Sequence, residues 1–171
     1  MEDLCGKTLI VLGKNIHVLS LLGHGKGGYS YLAESEGKPL VLKAIHHEPC
    51  SYYAFGNKIE AEKRDYQTLS RIGVPIPKLI GVDEEKEIIL KEYVEGPTVK
   101  DLIEQGRDVT DLIKQVKIIA DNAKTQGINI DYYPTNFVVQ DGKPIYVDYE
   151  CNAYMEKWDF DHWGITTWKK D

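Results

Sequence analysis

The sequence predicts an α+β protein, and three patterns carry that reading. Five stretches, 8–22, 29–34, 40–45, 78–82 and 87–93, have strand character, and the later ones are joined as hairpins. A helix opened by Asn57 interrupts them, and a second helical stripe begins near Val109. A break at Glu95-Gly96-Pro97 separates a region 1–94 from a region 95–171. The expected architecture is a five-stranded antiparallel sheet with one helix, followed by a smaller second part.

The 171 residues are 42% hydrophobic and 28% charged, a balance that supports a folded core rather than disorder. A net charge of −6 lacks the basic footprint of a nucleic-acid binder. Cys5, Cys50 and Cys151 are few, scattered and odd in number, which fits reduced thiols in a cytoplasmic protein. The opening Met-Glu-Asp has no basic n-region, and no apolar run is long enough to span a bilayer. The stretch His46-His47-Glu48-Pro49-Cys50 holds metal-ligating residue types, but it lacks a second spaced pair of ligands, so no metal is expected there.

Taken in order, residues 8–22 alternate loosely and run into the glycine-rich segment that follows. Ser35-Glu36-Gly37-Lys38-Pro39 turns the next two strands into a hairpin. Asn57, with Glu60 three residues on, caps a helix that Gly73 and Pro75 stop. Asp83-Glu84-Glu85-Lys86 turns a second hairpin. Beyond the break, Val109, Leu112, Ile113, Val116, Ile119, Ala120 and Ala123 recur with a period of 3.6, which is a core stripe without chemistry. The clearest hairpin pairs 137–140 with 143–147 across Asp141-Gly142.

One face of the first helix carries Ile59, Tyr66, Leu69 and Ile72, with Glu62 in their midst and Asp65 at the edge. An acid among apolar neighbours calls for a cation. Lys43, on the strand face of Val41 and Ile45, calls for an anion, so Glu62 is its expected partner. The glycines at 23, 25 and 28 fit G-x-G-x-x-G, yet a strand follows them where the dinucleotide fingerprint needs a helix, and Gly6-Lys7-Thr8 is not a Walker loop. A strand–glycine turn–strand can instead lie over nucleotide phosphates, with Lys43 touching the α and β phosphates. The Asp141-Gly142 turn brings Asn136 and Asp148 to one end of a hairpin, a suitable oxygen pair for Mg²⁺. Asp131, five residues earlier, could take a proton from an attacking hydroxyl.

In this order the elements resemble the eukaryotic-type protein kinase superfamily, and more narrowly its small RIO-like and aminoglycoside-phosphotransferase-like members. The segment Lys91-Glu92-Tyr93-Val94-Glu95-Gly96 is similar to the hinge, and Phe160-Asp161-His162-Trp163-Gly164 to the start of the helix anchoring the catalytic loop. The resemblance implies a bilobal fold: a five-stranded N-lobe over 1–94 and a reduced, mainly helical C-lobe over 95–171. It implies ATP and Mg²⁺ as cofactors, with Gly23, Gly25 and Gly28 covering phosphate. Lys43 and Glu62 would form the ion pair, Glu92 and Val94 would meet adenine, Asp131 would be the base, and Asn136 and Asp148 the metal ligands. The activity implied is serine/threonine-kinase-like transfer of the γ-phosphate to a hydroxyl of a protein or small molecule.

Departures leave two other readings. Asn129-Ile130-Asp131 lacks the family's His and Arg, Tyr133 replaces a Lys, and Tyr149-Glu150 replaces Phe-Gly. Ser30 and Lys91 stand where the family has an adenine-packing valine and a gatekeeper. These changes suit a pseudokinase, an ATP-binding interaction module without chemistry. The short span from Tyr149 to Phe160 leaves no room for a peptide platform, which suits a small-molecule kinase.

Overall fold

Leu12 (φ 51°) and Gly13 (φ 75°) cut the first expected strand in two. The computed structural model describes residues 2–48 and 57–169. Strand β1 (Thr8–Val11) turns directly into β2 (Lys14–His24), with Val11 opposite Lys14. A two-residue hairpin of this kind needs left-handed backbone at both turn positions. Leucine is a poor advertisement for such a turn, so the strand pattern reads straight through it.

The next strands are β3 (Gly28–Ser35), β4 (Lys38–Ile45), β5 (Leu79–Asp83) and β6 (Ile88–Glu92). With the first two they form a six-stranded antiparallel sheet in the order β1-β2-β3-β4-β6-β5. Later in the chain, β7 (Ile128–Ile130) pairs with β10 (Cys151–Ala153), and β8 (Phe137–Gln140) with β9 (Lys143–Tyr146). The result is a small β-rich protein with a few short helices. It does not fit the expected bilobal kinase fold of a five-stranded N-lobe and a mainly helical C-lobe. The extra strand comes from the Leu12-Gly13 turn, and β7 and β10, three residues each, are too short for a period to show.

The chain divides into two units, residues 1–63 with 78–93, and residues 64–77 with 94–171. In the first, β4 is buried on both faces. Leu40, Leu42 and Ala44 pack with Val18, Tyr31, Ala33, Ile88 and Leu90 on one side. On the other, Ile45 and Ile89 pack with Ile59 of helix α1 (Lys58–Arg71). Asn57 accepts the Glu60 N–H at 3.1 Å and so caps α1. Gly28 lets β3 and β4 approach: a Cβ there would lie 2.3 Å from the Ala44 carbonyl oxygen.

In the second unit, Thr98 and Asp101 form a capping box that starts α2 (Val99–Glu104). Helix α3 (Thr110–Thr125) turns Leu112, Val116, Ala120 and Ala123 inward. They join Leu69, Phe137, Tyr146, Phe160 and Trp168 in one core. A π-helical turn, Phe160–Gly164, leads into α4 (Ile165–Trp168), and the Trp168 indole N–H donates to the Tyr132 carbonyl at 2.7 Å. Cys5 and Cys151 are free thiols, while Cys50 lies outside the described residues. Burial, reinforced by Asp65, pushes the Cys151 thiol up to about 12. Among the described residues no helix is long and apolar enough to cross a membrane.

Asp159 starts the last helical segment, accepting the His162 N–H at 2.8 Å, the Tyr154 hydroxyl at 2.8 Å and the His162 ring at 2.8 Å. Burial pushes its carboxyl up, but these hydrogen bonds outweigh burial and leave it below its ordinary 3.8. The same bond raises His162 above 6.5. Asp159 therefore stabilises the fold above about pH 3.8, and loses that effect as pH falls through its depressed value. His162 stabilises below about pH 6.5 and stops doing so as pH rises through its raised value. Its exposure makes that limb the shallower one. Melting temperature followed against pH should peak between the two limbs, and Asp159→Asn should lower the peak and flatten both.

Candidate functional site

Lys43 lies opposite Ile89 in the sheet, on the face that Ile45 shares and that meets α1. Its ammonium cannot remain alone there, because a buried unpaired charge costs several kcal/mol. Glu62 lies one helical turn after Ile59 on α1, and its Oε1 accepts the Lys43 Nζ hydrogen bond. The two side chains are only 10% and 12% exposed. The second carboxylate oxygen, Oε2, is buried and has no hydrogen-bond partner among the described residues. Asp65, the rival acid, is spoken for elsewhere: it meets the Arg64 Nε at 3.2 Å and accepts the Cys151 N–H at 3.4 Å.

The glycine segment is a tight turn between β2 and β3, closed by the Gly25 N–H on the Gly28 carbonyl at 3.0 Å. Its glycines differ in what they do. Gly23 and Gly25 face open space, whereas Gly28 serves the close contact of β3 with β4. Gly27, outside the expected G-x-G-x-x-G triplet, is the one over the ion pair: a Cβ there would sit 3.1 Å from Lys43 Nζ and 3.6 Å from Glu62 Oε1. Lys58 adds a second clamp that the sequence did not suggest. Buried at the start of α1, it donates to the Lys26 carbonyl at 3.0 Å and to the His46 carbonyl.

Asp131, Asn136 and Asp148 lie apart from this ion pair in sequence, in the second unit. Asp131 follows β7, and its Oδ1 accepts the Tyr133 N–H at 3.1 Å. The Asp131 N–H donates to the Tyr146 hydroxyl at 3.2 Å, and that hydroxyl donates to the Glu150 carbonyl at 2.7 Å. Burial, with Asp148 nearby, holds the Tyr146 phenol far above its ordinary range, so it stays a donor. Asn136 closes a single 3₁₀ turn, donating to the Asp131 carbonyl at 3.3 Å and accepting the Val147 N–H at 2.9 Å through its own carbonyl. The hairpin thus sets Asn136 against Val147, with Asp148 the next residue. Asp148 is half-buried, and its carboxylate has no hydrogen-bond or ion-pair partner among the described residues.

Glu92 and Val94, the residues expected to meet adenine, fall in different units. Glu92 ends β6 with its N–H on the Lys78 carbonyl at 2.9 Å, and Val94 is buried in the second unit. Lys91, beside Glu92, is buried, at 4% exposure. Tyr146 and Lys58 organise the loops that carry the candidates, but they do so through one hydroxyl and one ammonium reaching distant backbone. No local spacing encodes that reach.

Lys43→Met should cost about 3–5 kcal/mol in urea unfolding, because it strands the Glu62 carboxylate. Adding Glu62→Leu should recover most of that loss, since an apolar pair replaces an ion pair of similar volume. Strictly additive effects of the two substitutions would mean that the side chains are not coupled. Gly27→Ala should disturb only the flexible end of Lys43, whereas Gly28→Ala should destabilise the sheet itself, by about 1–3 kcal/mol.

No protein-family model matches the chain. No curated protein matches it either. The chemistry of the residues is what remains to argue function from.

Proposed function

We propose that the chain is an ATP- and Mg²⁺-dependent phosphotransferase that moves the γ-phosphoryl group of ATP to a hydroxyl, in the manner of a serine/threonine kinase. The observation that carries this reading is the Lys43–Glu62 ion pair directly beneath Gly27. A lysine held by a carboxylate under a turn without side chains is suited to phosphate, because backbone amides can approach closely and one charge is already oriented. In this reading Lys43 contacts the α and β phosphates, Glu62 positions it, and the turn of Gly23, Gly25 and Gly28 covers them. Glu92 offers a backbone group to adenine.

Asn136 and Asp148 supply oxygen donors of the kind that Mg²⁺ takes, and the half-buried Asp148 carboxylate, without a partner among the described residues, suits that role. Bound Mg²⁺ would neutralise charge on the phosphates. Asp131 would accept the hydroxyl proton as the acceptor oxygen attacks phosphorus and ADP leaves. A cytoplasmic setting, where ATP and Mg²⁺ are abundant, belongs to the same proposal.

A second reading, nucleotide binding without chemistry, is favoured by one observation. The Asp131 carboxylate already accepts the Tyr133 N–H, and the Asn136 amide already bonds the Asp131 carbonyl, so both side chains are used to hold their own loop. Radiolabel transfer from [γ-³²P]ATP, scored against panels of proteins and small hydroxyl metabolites, separates the readings. Asp148→Asn, and Lys43→Met in the Glu62→Leu background, should each lower transfer at least about hundredfold while the protein stays folded. A Mg²⁺-dependent thermal shift with ATP but no transfer would select the binding module. Neither shift nor transfer would remove both readings.

A further inference from the structure

The segment after β4 holds ligand-type residues without an obvious complement in sequence, and the fold supplies one. His24 ends β2, opposite Tyr29, and brings its ring beside His46 and Glu48. One ligand atom from each of His24, His46 and Glu48 can be chosen so that all three lie within 4.8 Å of one another. We infer that these three residues form a binding site for a divalent transition-metal ion, Zn²⁺ above all, that ties the glycine turn to the segment following β4. None of the three ligands is a residue that carries the phosphotransferase reading, although the Gly25 carbonyl of the glycine turn accepts the His46 Nε2 hydrogen bond; metal binding is tested without nucleotide and so stands or falls by itself.

The protonation of His46 follows from its partners. Nε2 lies 2.7 Å from the Gly25 carbonyl oxygen, which can only accept, so Nε2 carries the proton. Nδ1 faces the Glu48 backbone N–H at 3.2 Å, which can only donate, so Nδ1 presents its lone pair. That long contact is the weaker of the two and is the one a metal would replace. An imidazole whose other N–H is fixed on a backbone carbonyl is the usual arrangement of a metal-bound histidine.

Glu48 is oriented in the same way. Its Oε1 accepts the Tyr29 hydroxyl at 2.6 Å, which fixes the carboxylate beside the two rings. Its Oε2 lies 3.4 Å from His24 Nε2. The His24 ring stacks on Tyr29 at 4.2 Å with planes 6° apart, which restricts the ring without burying its nitrogens. Lys58 holds the backbone on both sides of the site, at Lys26 and His46.

Two imidazoles and one carboxylate form a donor set characteristic of zinc sites that keep a fourth position for water or another ligand. Ligand atoms about 2.0–2.2 Å from a tetrahedral ion stand roughly 3.3–3.5 Å apart. His24 Nε2 and Glu48 Oε2, 3.4 Å apart, already have that spacing, and the cluster as a whole, within 4.8 Å, needs to close by little more than an ångström. Nitrogen donors weigh against Mg²⁺ and Ca²⁺, which prefer oxygen.

The test is calorimetric titration of the metal-free, full-length chain with ZnCl₂, backed by the visible spectrum after Co²⁺ substitution. One Zn²⁺ per chain should bind, with a tetrahedral cobalt spectrum, and excess Mg²⁺ should not compete. His24→Ala and Glu48→Gln should each weaken binding at least tenfold while leaving the circular dichroism unchanged. His47→Ala should bind as the parent does, since His47 pairs with Glu87 instead. Absence of Zn²⁺ binding, or binding that neither His24→Ala nor Glu48→Gln weakens, overturns the site and leaves the cluster a hydrogen-bonded clasp.

Discussion

A buried ion pair joins the sheet of the first unit to α1. The Lys43 ammonium and the Glu62 carboxylate occupy positions that their neighbours would otherwise give to aliphatic side chains: Ile45 and Ile89 flank one, and Ile59 lies a turn from the other. An apolar pair there would hold the sheet to the helix at least as well, because desolvating two charges offsets most of their attraction. The pair is therefore poor evidence of stability and good evidence of a demand on charge at that spot. Gly27 brings bare backbone to the pair, since a Cβ there would lie 3.1 Å from Lys43 Nζ.

The second unit solves a different problem, holding a polar loop steady between short strands. Tyr146 does this from inside the core, where its ring packs against Phe137 while its hydroxyl joins the Asp131 amide to the Glu150 carbonyl. Trp168 reaches the same loop through the Tyr132 carbonyl. Aromatic residues suit this work because one side chain offers a large apolar body and a polar tip. The candidate Mg²⁺ ligands thus flank the β8–β9 hairpin, and the candidate base sits in a loop pinned at its backbone.

Much of this was legible in the sequence, for physical reasons that differ by element. The Asp141-Gly142 hairpin announces itself because both residues tolerate left-handed backbone, and α3 does so because its stripe repeats over sixteen residues. The Lys43–Glu62 meeting could be reasoned from two faces, each carrying one misplaced charge. The fold class could not be, since Leu12 hides a turn inside what reads as one strand, and β7 and β10 are three residues each. Nor could the His24 cluster, which depends on the register between β2 and β3 and on where β4 ends. Resemblance in the order of motifs was a weaker guide to architecture than the local backbone signals.

The central claim is that the Lys43–Glu62 pair under Gly27 receives a nucleotide's phosphates. Nuclear magnetic resonance reads this most directly, by titrating the isotopically labelled chain with a non-hydrolysable ATP analogue and Mg²⁺. The account predicts that the Gly27 amide and the Lys43 ammonium signals move first and saturate together. Saturating shifts confined to other parts of the chain, with Gly27 and Lys43 unmoved, would contradict it.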